Sequence, residues 1–214
     1  MIIENDLVMG TFTNTEKYLS GLKESIDKFY PDIEFILQLD KKSIKENFEL
    51  LREQFIKTNK RFWLFLDHDI RFISPDTIKI ALITLIRDRY AMVGCYSTYN
   101  PNYVIGSDQL ITKETGWLPG YFQLVDSSKV GHITVDFNLP DNNTAIDTSY
   151  SVAIKSEGYK IGIAPTVVYH HYKKAWMDSE AYEKTNTYVR KKWGQFYFDC
   201  TNIFEGIVGE IPNG

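Results

Sequence analysis

Cysteine is nearly absent: Cys95 and Cys200 are the whole complement of the 214 residues. Two cysteines are too few for a disulfide framework, so a reduced compartment is the simpler expectation. Long apolar runs are missing as well. The most apolar stretch, Ile78 to Ile86, is broken by Lys79 and falls far short of the roughly 20 residues that a spanning helix needs. Met1 to Gly10 carries Glu4 and Asp6 where a secretory signal has a basic and then an apolar segment. Basic charge is in deficit, with 24 Lys and Arg against 28 Asp and Glu and a formal charge of −4. That argues against a nucleic-acid binder, which works through clustered cations. The expectation is a soluble, cytoplasmic protein with no membrane segment.

What is present is ordinary for a folded domain: 43% hydrophobic, 24% charged and 14% aromatic residues. Length allows one large domain, and no repeat, low-complexity tract or linker divides it. Leu7 to Phe12 reads as a buried strand, and Thr13 with Glu16 as a capping box for a helix through Tyr18, Leu22, Ile26 and Phe29. A strand over Ile33–Leu39 follows, then a helix capped by Ser43 and Glu46 with Ile44, Phe48, Leu51 and Phe55 on its apolar face. Phe62–Leu66 is the most β-prone run. Ser74-Pro75 opens a third helix, and Tyr90–Tyr96 is a fourth strand. This alternation implies an α/β fold with a mostly parallel sheet and helices on both faces.

Beyond Ser97 the chain turns to Gly, Pro, Asn, Asp and aromatics, with loops and short strands expected over 98–140. Thr148–Glu157 reads as a helix stopped at Gly158. Strand-like segments follow at 159–164 and 166–170, then a helix over 178–192. The chain is read as one domain over 1–214, a first half to residue 97 and a more irregular half from 98, alone or within a longer polypeptide.

Ligands of open α/β sheets bind beyond the carboxyl ends of the strands. Asp40, Asp67 and Asp69 sit at such ends. In an extended segment the carboxylates of Asp67 and Asp69 project the same way, about 7 Å apart. That suits a hard divalent cation, or a cation and a ribose hydroxyl. An Asp-x-Asp triplet alone is a weak signal, since strand ends collect aspartates as turn residues; its place after a fully apolar strand gives it weight. Gly116-Trp117-Leu118-Pro119-Gly120-Tyr121 is a glycine-flanked aromatic loop, in which Trp117 is open to two readings, stacking on an acceptor sugar or packing inside. Asp108, Glu114 and Asp126 read as solvated acids, and Cys95 as core.

The run Phe62-Trp63-Leu64-Phe65-Leu66-Asp67-His68-Asp69 resembles the Asp-x-Asp strand of nucleotide-sugar-dependent glycosyltransferases of the GT-A fold, especially the family-2 type. Thr11-Phe12-Thr13-Asn14 with Glu16-Lys17-Tyr18-Leu19 is similar to that family's opening strand and helix, with one residue inserted and Gly10 where proline is usual. Asp147 stands at the spacing from Gly158-Tyr159 that the family's Glu-Asp motif has, with Ile146 in the glutamate position. Pro165 and Val167-Val168-Tyr169-His170-His171 resemble the family's later strand and histidine, and Lys192-Trp193-Gly194 its late helix end. The matches span about residues 7 to 194, in order.

The resemblance implies a GT-A, Rossmann-like fold with an amino-terminal nucleotide-sugar half and a carboxyl-terminal acceptor half. It implies a metal-dependent, inverting hexosyl transfer from a nucleotide-sugar, expected to be a UDP-sugar, to a carbohydrate acceptor. Thr11, Phe12, Thr13 and Asp40 would face the nucleotide. Asp69 would hold the metal directly, with Asp67 nearer the ribose or reaching the metal through water. A histidine, His170 or His171, would complete the set; adjacent strand residues face opposite ways, and His170 directly follows the apolar run. Imidazole suits Mn²⁺ better than Mg²⁺. Asp147 would be the general base. Two other readings stand beside this one. A binding module that has lost catalysis takes support from Ile146. A haloacid-dehalogenase-type phosphohydrolase also places Asp-x-Asp after a strand, but here Arg71 stands where such enzymes carry threonine or valine.

Overall fold

The computed structural model describes residues 4–13, 16–39, 42–98, 110–141, 145–170 and 179–195. In chain order the elements are β1 (Leu7–Thr13), α1 (Leu19–Phe29), β2 (Glu34–Leu39), α2 (Ile44–Lys57), β3 (Phe62–Leu66), β4 (Ile70–Phe72), α3 (Thr77–Arg87) and β5 (Met92–Thr98). There follow β6 (Lys113–Thr115), β7 (Phe122–Asp126), α4 (Ser127–Val130), α5 (Ile146–Ser156), β8 (Ile161–His170) and α6 (Ser179–Trp193). No helix among the described residues is long and apolar enough to cross a membrane.

One sheet runs in the order β2-β1-β3-β7-β5-β8-β4, with β6 added against β8. β1 pairs in parallel with β2 and β3, and β5 with β8. β7 lies antiparallel between β3 and β5, so β1, β2, β3, β5 and β8 all share one direction. β4 and β6 run antiparallel to β8. The fold is the expected α/β arrangement with a mostly parallel sheet, but β3 and β5 do not touch as neighbours. A strand from the more irregular half enters between them.

Alternation in the strands divides the core in two. Leu7 and Met9 of β1 with Leu64 and Leu66 of β3 face α1 and α3, packing on Leu22, Ile26, Ile78 and Leu85. Val8, Trp63 and Phe65 face the other way, onto Phe48, Leu51 and Phe55 of α2 and Tyr150 of α5. Phe48 stacks on Phe65 with centroids 4.4 Å apart and meets Tyr150 edge-on at 5.2 Å. Such pairs add about 0.5–1.5 kcal/mol each beyond area burial, and they fix α5 to the sheet through the aromatic run of β3.

The ends of several elements differ from expectation. Ser43 and Glu46 form the anticipated capping box of α2. Thr13, however, is the last residue of β1, and α1 starts at Leu19 without a side-chain cap. Its pairing with Leu39 draws Thr13 into the sheet. α3 starts at Thr77 rather than Ser74; the Ser74 hydroxyl accepts from the Asp76 N–H in a turn before it. The two short strands around Pro165 are one, β8, because Pro165 and Thr166 are absorbed in a bulge where Cys95 pairs with Ala164 and Tyr96 with Val167. Gly158 closes α5 in the left-handed region at φ +85°. Cys95 is core as expected. Asp126 is not a solvated acid: it is buried, bound by both Arg61 Nε and Nη2, and it caps α4 through Ser128. Glu114 lies at the surface, paired with Lys155 and Lys160.

Candidate metal and donor site

The parallel strands bring their carboxyl ends to one edge. Thr11 pairs with Leu66, so β1 and β3 finish side by side and the chain leaves β3 at Asp67. Asp67-His68-Asp69 is a turn, not the extended continuation expected, because β4 must reverse to pair with β8. In that pairing Ile70 lies opposite His170. The reversal closes the distance that an extended strand would keep. One ligand atom each from Asp67, Asp69 and His170 lies within 4.8 Å of the others, and His170 Nε2 is 3.2 Å from Asp69 Oδ1.

The antiparallel β7 delivers a fourth segment to the same edge. Phe122 pairs with Leu66, so the loop before β7 arrives beside Asp67. The Asp67 N–H donates to the Tyr121 carbonyl at 3.2 Å. The Tyr121 ring lies 5.4 Å from the His170 ring, and its hydroxyl donates to the Cys95 carbonyl at 2.6 Å. One residue earlier, the Gly120 N–H donates to Asp147 Oδ2 at 2.9 Å, while the Thr148 N–H donates to Oδ1 at 2.8 Å. Asp147 is therefore inside the first turn of α5 and not its N-cap; that place belongs to Ala145, held in the left-handed region at φ 54°. Gly120 and Tyr121 are the members of this site that spacing alone did not single out, although both belong to the glycine-flanked loop.

Burial and like charge govern the titration here. Burial pushes the Asp67 carboxyl up to about 7, with Asp69 and Asp147 pushing the same way and His170 opposing. Burial also raises Asp147, against the backbone hydrogen bonds from Thr148 and Gly120. For Asp69, burial acts upward but the hydrogen bond and charge of His170 hold it below the usual carboxylate range. For His170, burial acts downward and the Asp69 bond outweighs it, raising the imidazole. Burial lowers His68. Oxygen donors from two aspartates and one imidazole nitrogen, in a place where carboxylates repel, fit a divalent cation.

Thr11 and Thr13 are buried, and Phe12 packs edge-on to Phe48 with centroids 6.5 Å apart. Trp117 is half-buried and its carbonyl accepts from Thr115 Oγ1. Ile146 is buried in the second core cluster. Asp40 and His171 lie outside the described residues, as do Asp108 and Cys200.

No protein-family model matches the sequence, and no curated protein matches it. Solved structures do. The mannosyltransferase PcManGT from Pyrobaculum calidifontis, in complex with GDP-Man and Mn²⁺, superposes with a TM-score of 0.58 at 14% identity over 80% of this chain and 58% of its own. GalNAc-T7, solved with UDP, GalNAc and Mn²⁺, gives 0.64 at 12% identity over 90% of this chain and 48% of its own. The fragment 1-349 of S. aureus TarS gives 0.63 at 12% identity over 94% of this chain and 72% of its own. The chain thus spans about half the length of the first two and nearly three quarters of the third. Identities this low speak to architecture alone, and that architecture is the GT-A fold of glycosyltransferases.

Proposed function

We propose that the chain moves a sugar from a nucleotide-sugar donor to a hydroxyl of a carbohydrate acceptor. The observation that carries this reading is the meeting of Asp67, Asp69 and His170 at the strand ends of a GT-A fold. Asp69 and His170 hold a divalent cation, Mn²⁺ in preference to Mg²⁺, and Asp67 lies nearer the ribose or reaches the cation through water. The cation, when bound, neutralises the negative charge that gathers on the departing diphosphate. Asp40, which follows β2 in the sequence, is assigned to the nucleotide, as are Thr11, Phe12 and Thr13 at the end of β1. The solved structures of the same fold carry GDP-Man, UDP and UDP-GlcNAc; a UDP-sugar is the donor proposed here.

Asp147 takes the proton of the attacking hydroxyl. Its oxygens accept the backbone N–H groups of Gly120 and Thr148, which fixes the carboxylate plane. Burial raises its proton affinity, as a general base requires. A single base candidate, with no second nucleophile evident among the described residues, favours a single displacement with inversion at the anomeric carbon. Trp117, on the loop that reaches Asp147, is assigned to the acceptor side.

A second reading is a nucleotide-binding module without catalysis. Ile146 favours it, since a residue packed in the core offers no polar contact to an acceptor. Release of nucleoside diphosphate from UDP- and GDP-sugars, with Mn²⁺ and a panel of glycan acceptors, separates the two. Turnover that disappears in Asp147→Asn supports transfer; binding of UDP and Mn²⁺ without any turnover supports the module.

A further inference from the structure

On the α1 side of β4 lies a groove of about 310 Å³ whose lining includes none of the residues assigned to the reaction. Glu24, Lys28 and Phe29 of α1 form one wall, and Arg71 of β4 with Tyr169 of β8 forms the other. Arg71 pairs directly with Tyr169 across the strands. Lys28 and Arg71 are exposed, and neither has an ion-pair partner among the described residues. The Lys28 ammonium instead sits 4.7 Å over the Phe29 ring. Two cations against Glu24 give the groove a local positive balance in a chain whose formal charge is −4.

Space for the guanidinium comes from Gly21. A Cβ there would collide with Arg71 Nε, so a larger residue would have to displace the Arg71 side chain. Its neighbour on the helix, Ser25, is committed elsewhere: the Ser25 hydroxyl donates to Leu22 O and accepts from the Phe72 N–H. That bond locks β4 to α1 and fixes the groove's walls.

A guanidinium with no carboxylate partner takes planar anions through paired N–H donors, and an ammonium close by adds charge without direction. Phe29 and Tyr169 supply apolar ring faces on both walls. We infer that this groove is a second ligand site, distinct from the metal turn, which takes a carboxylate or phosphate borne on a sugar ring. The anion engages Arg71 and Lys28, and the ring lies against Phe29 and Tyr169. This does not depend on glycosyl transfer by the chain.

Isothermal titration of the whole protein with glucuronate, glucose 6-phosphate, inorganic phosphate and neutral glucose tests it, after EDTA has stripped any metal and been dialysed away so that the metal turn contributes nothing. Both charged sugars bind, glucose does not, and the Lys28→Gln/Arg71→Gln double variant loses affinity at least tenfold. The same variant retains its thermal melting and its binding of UDP with Mn²⁺ measured without EDTA. Absence of binding by the charged sugars, or equal binding by the double variant, would overturn the site. Inorganic phosphate bound as tightly as glucose 6-phosphate would overturn the ring-bearing ligand and leave a free-anion site.

Discussion

His170 Nε2 meets Asp69 Oδ1 at 3.2 Å although the two residues come from opposite halves of the chain. The contact depends on β4, a strand of only Ile70–Phe72, which folds the aspartate turn back against the end of β8. The candidate cluster thus draws its aspartates from the turn after β3 and its histidine from the end of β8.

Tyr121 holds His170 in place from the side. Its ring lies against the imidazole and its hydroxyl is tied to the Cys95 carbonyl. Groups that orient a metal ligand typically account for about 10–100-fold in metal affinity. Tyr121→Ala is expected to weaken Mn²⁺-dependent UDP binding by about tenfold or more, measured by titration, while Tyr121→Phe, which keeps the ring, costs less.

Asp147→Asn keeps the shape of the base and removes its charge. Turnover should fall by about 10²–10⁴-fold, the range for losing a positioned general base. Donor binding, read by the same titration, should stay within a few fold.

Asp126 anchors the entry of β7's partner segments away from the site. Its carboxylate is buried, and burial acts to raise it, but the Arg61 and Ser128 hydrogen bonds hold it below the usual carboxylate range. A carboxyl with a depressed value in the folded state lends stability above its unfolded value, and that stability is lost as pH falls through the folded value. Asp126→Asn should lower stability by about 2 kcal/mol at neutral pH, and the difference should shrink as pH falls below 4 or so, toward the value at which Asp126 takes up its proton. Urea midpoints of both proteins across that range check it.

Gly10 lets α2 lie close on β1. A Cβ there would meet Leu51 Cδ1 at 2.8 Å, the Ile36 carbonyl at 2.9 Å and Phe55 Cε1 at 2.9 Å. Overpacking of this kind costs about 1–3 kcal/mol. Gly10→Ala should lower the urea midpoint accordingly and leave the metal turn intact.

Much of this was legible because the first half follows simple periods. Leu7–Phe12, Phe62–Leu66 and the Ser43–Glu46 cap each carry a local signal that tertiary packing reinforces. β7 was not legible: Phe-Gln-Leu-Val-Asp interrupts its apolar run with Gln123, which is buried because its amide donates to the Leu118 carbonyl. Insertion of that strand is what carries Gly120 and Tyr121 to the site, so their roles were hidden with it. The Asp67–Asp69 turn was hidden for a related reason. Its geometry is set by β4 pairing with β8, a contact between distant segments that no local pattern announces.

The most direct test of the account is a thermal-shift measurement of the wild type and Asp69→Ala with UDP and GDP, each with and without Mn²⁺. A ligand at 100 times its dissociation constant adds about 2.7 kcal/mol of stability. The account predicts a shift of the wild type by one diphosphate, UDP, that requires Mn²⁺ and vanishes in Asp69→Ala. No shift with either diphosphate, or an equal shift in Asp69→Ala, would contradict it and leave Asp67-His68-Asp69 as a structural turn.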